Sequence, residues 1–118
     1  MSHHDLGVTL RQMLDFAERA AKFGDGFLAD DLAADEMRSL AVVHLLELLG
    51  EAATRVPLDL RKEYSLPWRD MVGMRNVLIH GYDRLDLTIV ADTVSEHLPR
   101  IIAELRRITG AEFGPARP

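Results

Sequence analysis

Three features of this 118-residue sequence predict an all-α fold. Apolar residues recur at helical spacing over long segments, Gly and Pro separate those segments, and no stretch shows the apolar/polar alternation of a half-buried strand. The length fits one domain with a single core. We therefore expect one helical domain of four to five helices in residues 1–109, followed by a flexible tail in residues 110–118.

The first helix is predicted over residues 6–22. Leu10, Met13 and Ala17 fall on one helical stripe, whereas the charged residues of the segment lie elsewhere. Gly24 and Gly26 follow and tolerate the positive φ that often ends a helix. This segment should therefore be an amphipathic helix that buries one face.

The second helix is predicted from about residue 31 to residue 56, with Asp30 or Asp31 as its N-cap. It should stop there because Pro57 cannot continue it. Its leucines and valines cover so much of the circumference that it must be buried on more than one side. It is expected to be the spine of the bundle or half of a dimer interface.

One stripe of this second helix stays polar and is formed by His44, Glu47, Glu51 and Arg55. The simplest interpretation is a solvated or salt-bridged edge. A second interpretation places Glu47 or Glu51 beside a functional arginine, which the carboxylate would orient. A metal site built from His44 and the two glutamates is the third.

The remaining elements follow from capping residues and prolines. Residues 57–64 read as a short helix or turn, and Pro67 suits the first turn of a helix that carries Trp68 on its apolar face. Asp86 can cap the last helix, whose apolar repeat continues across Pro99. A proline inside such a repeat predicts a kink and not necessarily an end.

Residues 71–82 place four polar side chains in an otherwise apolar run: Arg75, Asn76, His80 and Tyr82. Arginine binds a phosphate through two parallel N–H donors, histidine exchanges a proton near neutral pH, and a phenol both donates and accepts. These groups together suit chemistry on a phosphodiester. Arg75 and His80 are the candidate catalytic residues.

Helical geometry limits how these groups could cooperate. On a straight helix Arg75 and Tyr82 share a face and Asn76 and His80 form an i, i+4 pair, but Arg75 and His80 diverge by about 140°. They converge only if the helix loosens near Gly81, if the arginine wraps round, or if a second subunit completes the site. Asn76 is placed to hydrogen-bond the imidazole of His80 and fix its tautomer.

The charge distribution argues against a general nucleic-acid binder. The net charge is −5 and the pI is about 5.4, whereas such proteins usually display a basic face. Residues 55–84 alone have more basic than acidic side chains, six against four. RNA affinity would therefore be modest or would depend on two subunits pooling Arg55, Arg61, Lys62, Arg69, Arg75 and Arg84.

Five segments between about residues 6 and 108 form a recognisable set: Phe27-Leu28-Ala29-Asp30, Leu48-Leu49-Gly50-Glu51-Ala52-Ala53, Leu66-Pro67-Trp68-Arg69-Asp70, Met74-Arg75-Asn76-Val77-Leu78-Ile79-His80, and Asp86-Leu87 to Leu98-Pro99. Together, and in this order, they resemble the HepT-type toxins of the HEPN family, which carry an Arg-x4-His-x-Tyr motif. His44 departs from the asparagine or other small polar residue expected at its position.

The resemblance implies an up-and-down helical homodimer that cleaves cellular RNA as a metal-independent endoribonuclease, the toxin of a type VII-like toxin–antitoxin system. Arg75 and His80 would be catalytic, with Asn76, Glu51 and Glu47 in support. Tyr82 would receive AMP from a cognate MntA-like nucleotidyltransferase antitoxin, which silences the toxin.

Two further expectations and one alternative complete the sequence interpretation. No cofactor and no metal are expected, and the absence of cysteine excludes disulfides and thiolate ligands. No apolar run approaches the roughly 20 residues needed to span a bilayer, so a cytoplasmic protein without membrane contact is expected. The alternative function is a non-catalytic helical partner of a minimal nucleotidyltransferase, which the acidic charge favours.

Overall fold

The structure, a computed structural model, describes residues 1–80 and 84–113, with only the backbone at Ile79, His80 and Arg84. Helices form nearly all of the regular structure in these ranges, so the all-α prediction is confirmed. A π-helical turn (Thr93–His97) joins the last two helices, and strand β1 (Ile79–His80) pairs antiparallel with β2 (Arg84–Leu85). The helices are α1 (His3–Gly24), α2 (Ala29–Ala33), α3 (Glu36–Thr54), α4 (Leu58–Arg61), α5 (Trp68–Val72), α6 (Met74–Leu78), α7 (Leu87–Asp92) and α8 (Leu98–Glu112).

The core lies where α1 packs against α3 and α8. Leu10 and Met13 of α1 and Leu46 and Leu49 of α3 are fully buried. Truncating a buried leucine or methionine to alanine typically costs about 2–5 kcal/mol, so these contacts dominate the stability of the bundle. The predicted apolar stripe of α1 is therefore its packing face, and α3 is buried on more than one side, as predicted.

The second helix begins later than the sequence pattern predicted. Asp35, and not Asp30 or Asp31, is the N-cap of α3, because its carboxylate accepts a hydrogen bond from the backbone N–H of Arg38 at 3.1 Å. That bond, followed by one from the Arg38 side chain, lowers the pKa of Asp35. The preceding residues form the separate short helix α2, which buries Leu32 in the core. The predicted start at residue 31 was wrong.

The last helical segment is capped as predicted and continues past Pro99. The carboxylate of Asp86 accepts from the backbone N–H of Ile89 at 3.1 Å. The π-helical turn ends at His97, two residues before Pro99, and Leu98 donates its backbone N–H to the carbonyl of Thr93. A proline inside a helix lacks an N–H donor and clashes with the carbonyl one turn earlier, and the wider π turn accommodates both defects.

The end of α8 packs against distant parts of the chain. It extends to Glu112, three residues beyond the predicted domain boundary at residue 109. The phenol of Tyr64 donates to the carboxylate of Glu112 at 2.7 Å, and burial together with this bond raises the pKa of Tyr64 to about 12. Arg11 donates to the carbonyl of Phe113. Residues 114–118 of the predicted tail lie outside the described residues.

Within residues 1–80 and 84–113 no helix combines the length and apolar character that crossing a membrane requires.

Candidate active site

The candidate site begins where α3 touches the start of the motif segment. A Cβ atom added to Gly50 of α3 would lie 2.5 Å from the backbone oxygen of Met71 in α5, closer than real Cβ atoms come. Only a residue without a side chain permits this approach. Gly50 therefore brings the polar stripe of α3 against the motif.

The motif segment is interrupted at Gly73. This glycine ends α5, donating its backbone N–H to the carbonyl of Arg69, and α6 starts at Met74. In α6, Met74 and Leu78 point into the core, whereas Arg75 and Asn76 are exposed. The break thus leaves the arginine and the amide facing solvent.

Arg75 and Glu47 meet at this surface. The Nε atom of Arg75 lies 3.8 Å from Oε2 of Glu47, and the two side chains are 74% and 28% exposed. Such an exposed pair contributes little to stability, about 0–1 kcal/mol, and at 3.8 Å it is an electrostatic attraction longer than a hydrogen bond, which biases the arginine toward Glu47. The remaining N–H donors of the guanidinium stay available to a phosphate.

A cleft of about 190 Å³ surrounds this pair. One guanidinium and one amide in its lining can donate to a phosphate, whereas the two carboxylates can accept from sugar hydroxyls. Its lining residues are Glu47, Gly50, Glu51, Thr54, Val72, Arg75 and Asn76. The structure thus brings together four of the six predicted site residues: Arg75, Asn76, Glu47 and Glu51.

His80 does not lie on the same helix as Arg75. Helix α6 ends at Leu78, and His80 belongs to β1, where its backbone pairs with Arg84. The predicted helical i, i+4 relation of Asn76 with His80 was therefore wrong, because the chain becomes extended before His80. The predicted relation of Arg75 with Tyr82 falls on a residue outside the described part of the chain. The side chain of His80 and the whole of Tyr82 lie outside the described residues.

Other predicted residues are placed elsewhere. His44 is exposed, and no three metal-ligating side chains cluster among the described residues, so His44, Glu47 and Glu51 do not form the metal site considered above. Arg61 donates from Nε to the carbonyl of Val56 at 2.8 Å at the end of α3. This bond fixes part of the Arg61 guanidinium against the end of α3.

A second and larger cavity adjoins the cleft and had no sign in the sequence pattern. It is a groove of about 750 Å³ between α5–α6 on one side and the α7–π–α8 segment on the other. Asn76 lines both the groove and the cleft.

We predict that Glu47→Gln reduces RNA cleavage about three- to tenfold, because Arg75 loses the carboxylate that restrains its guanidinium. Glu51→Gln is the matched control: it lines the same cleft but forms no ion pair within the described part of the chain. Initial cleavage rates of both variants provide the measurement. Equal losses in the two variants, or none in Glu47→Gln, would contradict an orienting role for Glu47.

The fold and the cleft define a class of protein: an all-α domain that presents an exposed arginine in a small polar cleft. The family model described as Ribonuclease HepT-like matches residues 13–108. The chain belongs to this family, the HepT-like ribonucleases, and the resemblance seen in its motifs is confirmed.

Known proteins that are similar to this chain over most of its length support the assignment. A Methanocaldococcus jannaschii protein provisionally named an RNase is 32% identical over 106 residues, covering 89% of this chain and 97% of the relative. A Thermococcus cleftensis protein named probable ribonuclease HepT is 30% identical over 108 residues, covering 91% and 96%. A provisionally named RNase of Caldanaerobacter subterraneus subsp. tengcongensis is 31% identical over 88 residues, covering 74% and 79%. No solved structure matches the chain significantly.

Proposed function

We propose that this ribonuclease is a metal-independent endoribonuclease whose catalytic residues are Arg75 and His80. One observation carries the proposal: Arg75 is 74% exposed in a polar cleft, with its Nε atom 3.8 Å from the carboxylate of Glu47. Asn76, on the same short helix, lines that cleft, and His80 follows two residues after the helix ends. Membership of the HepT-like ribonuclease family indicates the class of reaction, which is RNA cleavage.

The proposed reaction needs a base, an acid and a cation. The 2′-oxygen attacks the adjacent phosphorus, the bond from phosphorus to the 5′-oxygen breaks, and the products are a 2′,3′-cyclic phosphate and a 5′-hydroxyl. An imidazole takes the proton from the 2′-hydroxyl or gives one to the leaving oxygen. The guanidinium of Arg75 stabilises the extra negative charge on the phosphorane.

Two copies of the chain would supply the two proton-transfer groups. Each motif contains one histidine, so a homodimer that brings two motifs together offers both a base and an acid. The surface of α3 supports such a dimer: Met37 and Leu40 are 86% and 51% exposed. They lie on the helical stripe that continues through His44 to Glu47, so a second copy covering them would border the cleft.

We predict that Leu40→Asp converts the dimer to a monomer and reduces cleavage at least roughly tenfold, because a carboxylate would be buried in the interface. Leu58→Asp, at a leucine that is 71% exposed on α4, is the matched control and should leave both properties unchanged. Sedimentation equilibrium gives the mass. A dimeric Leu40→Asp protein would place the interface elsewhere.

The proposed biological role is that of a toxin in a type VII-like toxin–antitoxin pair. A cognate MntA-like nucleotidyltransferase would transfer AMP to the hydroxyl of Tyr82, with release of pyrophosphate from ATP. The support is the position of Tyr82 two residues after His80. An anionic adenylyl group there would occupy Arg75 and obstruct the cleft.

We predict that the partner enzyme adds one adenylyl mass to the wild-type protein and abolishes its cleavage, whereas Tyr82→Phe gains no mass and remains active in its presence. The chain has two tyrosines. Tyr64→Phe is therefore the natural control, and it should still be modified. Intact-mass spectrometry gives the result, and modification that persists in Tyr82→Phe would exclude this switch.

A second candidate function is a non-catalytic partner of a minimal nucleotidyltransferase. The net charge of −5 favours it, since RNA enzymes usually carry a basic surface. Stable co-purification with the nucleotidyltransferase, together with no RNA cleavage by the free protein, would select this candidate.

A further inference from the structure

The large groove beside the candidate active-site cleft has the size and lining of a ligand-binding pocket. It separates α5–α6 from the α7–π–α8 segment, and its volume of about 750 Å³ falls in the range of pockets that hold small molecules. Met71, Met74, Val77, Ile89 and Ile101 give it apolar walls. Such walls suit a flat, weakly polar group such as a nucleobase.

Cations dominate the polar part of this groove. Arg69 and Arg100 line it together with His97, and Asp70 is its one acidic residue among those described. Both arginines are exposed, and neither forms an ion pair within residues 1–80 and 84–113. This distribution complements a phosphate, in a protein whose overall charge is negative.

Asn76 connects the groove with the catalytic cleft, because it lines both cavities. A strand of RNA with one phosphate at Arg75 could therefore place a neighbouring base in the groove without leaving the surface. The amide of Asn76 has both donors and an acceptor, which lets it bond the edge of a base or the sugar at the junction.

We propose that the groove binds the nucleotide next to the scissile phosphate, with its base between Val77 and Ile89 and its outer phosphate at Arg100 and Arg69. This inference rests on the proposed ribonuclease function and adds a substrate-binding subsite to it. The π-helical turn contributes by placing Thr93 and His97 in the wall. A second copy of the chain is the competing occupant.

The test measures binding to a short 2′-O-methyl RNA, which lacks the nucleophile for cleavage, and to the same backbone without bases. Wild type should bind the base-bearing strand roughly tenfold more tightly, because the aliphatic walls of the groove remove part of one base from water. Val77→Glu should abolish most of that preference. Val8→Glu is its matched control, since Val77 and Val8 are 46% and 42% exposed and Val8 lies on α1 away from the groove.

Arg100→Gln tests the outer phosphate separately. It should keep the preference for bases but lower the slope of log affinity against log salt by about 0.7, the value for one phosphate contact on a single strand. Arg19→Gln, on α1, should not change the slope.

Three results would overturn the inference: an unchanged preference in Val77→Glu with an unchanged slope in Arg100→Gln, no binding of either strand by wild type, or a change of oligomeric mass in both groove variants. The last result would assign the groove to a second copy. The binding measurement does not depend on cleavage. If the binding results contradict the subsite but the protein still cleaves RNA, only the subsite is excluded and the proposed function is unaffected. Binding with the expected preference but without cleavage would support the subsite and contradict the proposed function.

Discussion

Purified His80→Ala should cleave RNA roughly 10²- to 10⁴-fold more slowly than wild type, because it lacks the proposed proton-transfer group. Arg75→Ala should lose roughly 10²- to 10³-fold, since the phosphorane loses its cation. Arg75→Lys should recover little, because an ammonium cannot make the two parallel bonds of a guanidinium. Single-turnover cleavage rates give these values.

Two controls separate chemistry from folding. His4→Ala and Arg19→Ala remove the same side chains from exposed positions of α1 and should cleave at the wild-type rate. Circular dichroism should show the same helix content in all five variants. A fully active His80→Ala protein would remove His80 from the mechanism.

Gly50→Ala should lower the free energy of unfolding by about 1–3 kcal/mol and reduce cleavage more than roughly tenfold. Its new Cβ would lie 2.5 Å from the backbone oxygen of Met71, and backbone cannot move aside as a flexible side chain can. Helix α5 must therefore shift away from α3. Because α6 directly follows α5, that shift would displace Arg75 and Asn76 from the cleft as well as separate Arg75 from Glu47.

Gly110→Ala is the matched control for Gly50→Ala. Gly110 lies in α8, and a Cβ added there would meet no atom within 4 Å. Alanine should therefore stabilise the protein by up to about 1 kcal/mol through helix propensity. Urea unfolding of both variants gives the comparison. The same sign of change in both would show that packing against Met71 does not decide the effect at Gly50.

Much of the helical framework was predictable because its signals are local. The apolar stripe of α1, the cap at Asp86 and the continuation past Pro99 each depend on residues within a few turns. The break before Asp35 was not predictable, since residues 33 and 34 are alanines with no tendency to end a helix. Tertiary packing determines this break, because α2, as a separate helix, buries Leu32 in the core.

In the candidate site, too, some features were predictable from local sequence and others depend on tertiary packing. Glu47 lies on a polar stripe visible in the sequence, and its pairing with Arg75 follows from the approach of two segments at Gly50. The end of α6 at Leu78 was missed, because residues 79 and 80 become extended only by pairing with residues 84 and 85. The groove was missed for a related reason: residues 65–77 and 89–101 form it jointly, and no local pattern reports their separation.

The most direct test is the chemistry of the RNA ends that purified wild-type protein leaves in excess EDTA. The account predicts fragments with 2′,3′-cyclic phosphate and 5′-hydroxyl ends, formed without added metal and absent with Arg75→Ala or His80→Ala. Fragments with 3′-hydroxyl and 5′-phosphate ends, or cleavage that stops in EDTA and returns with Mg²⁺, would contradict it.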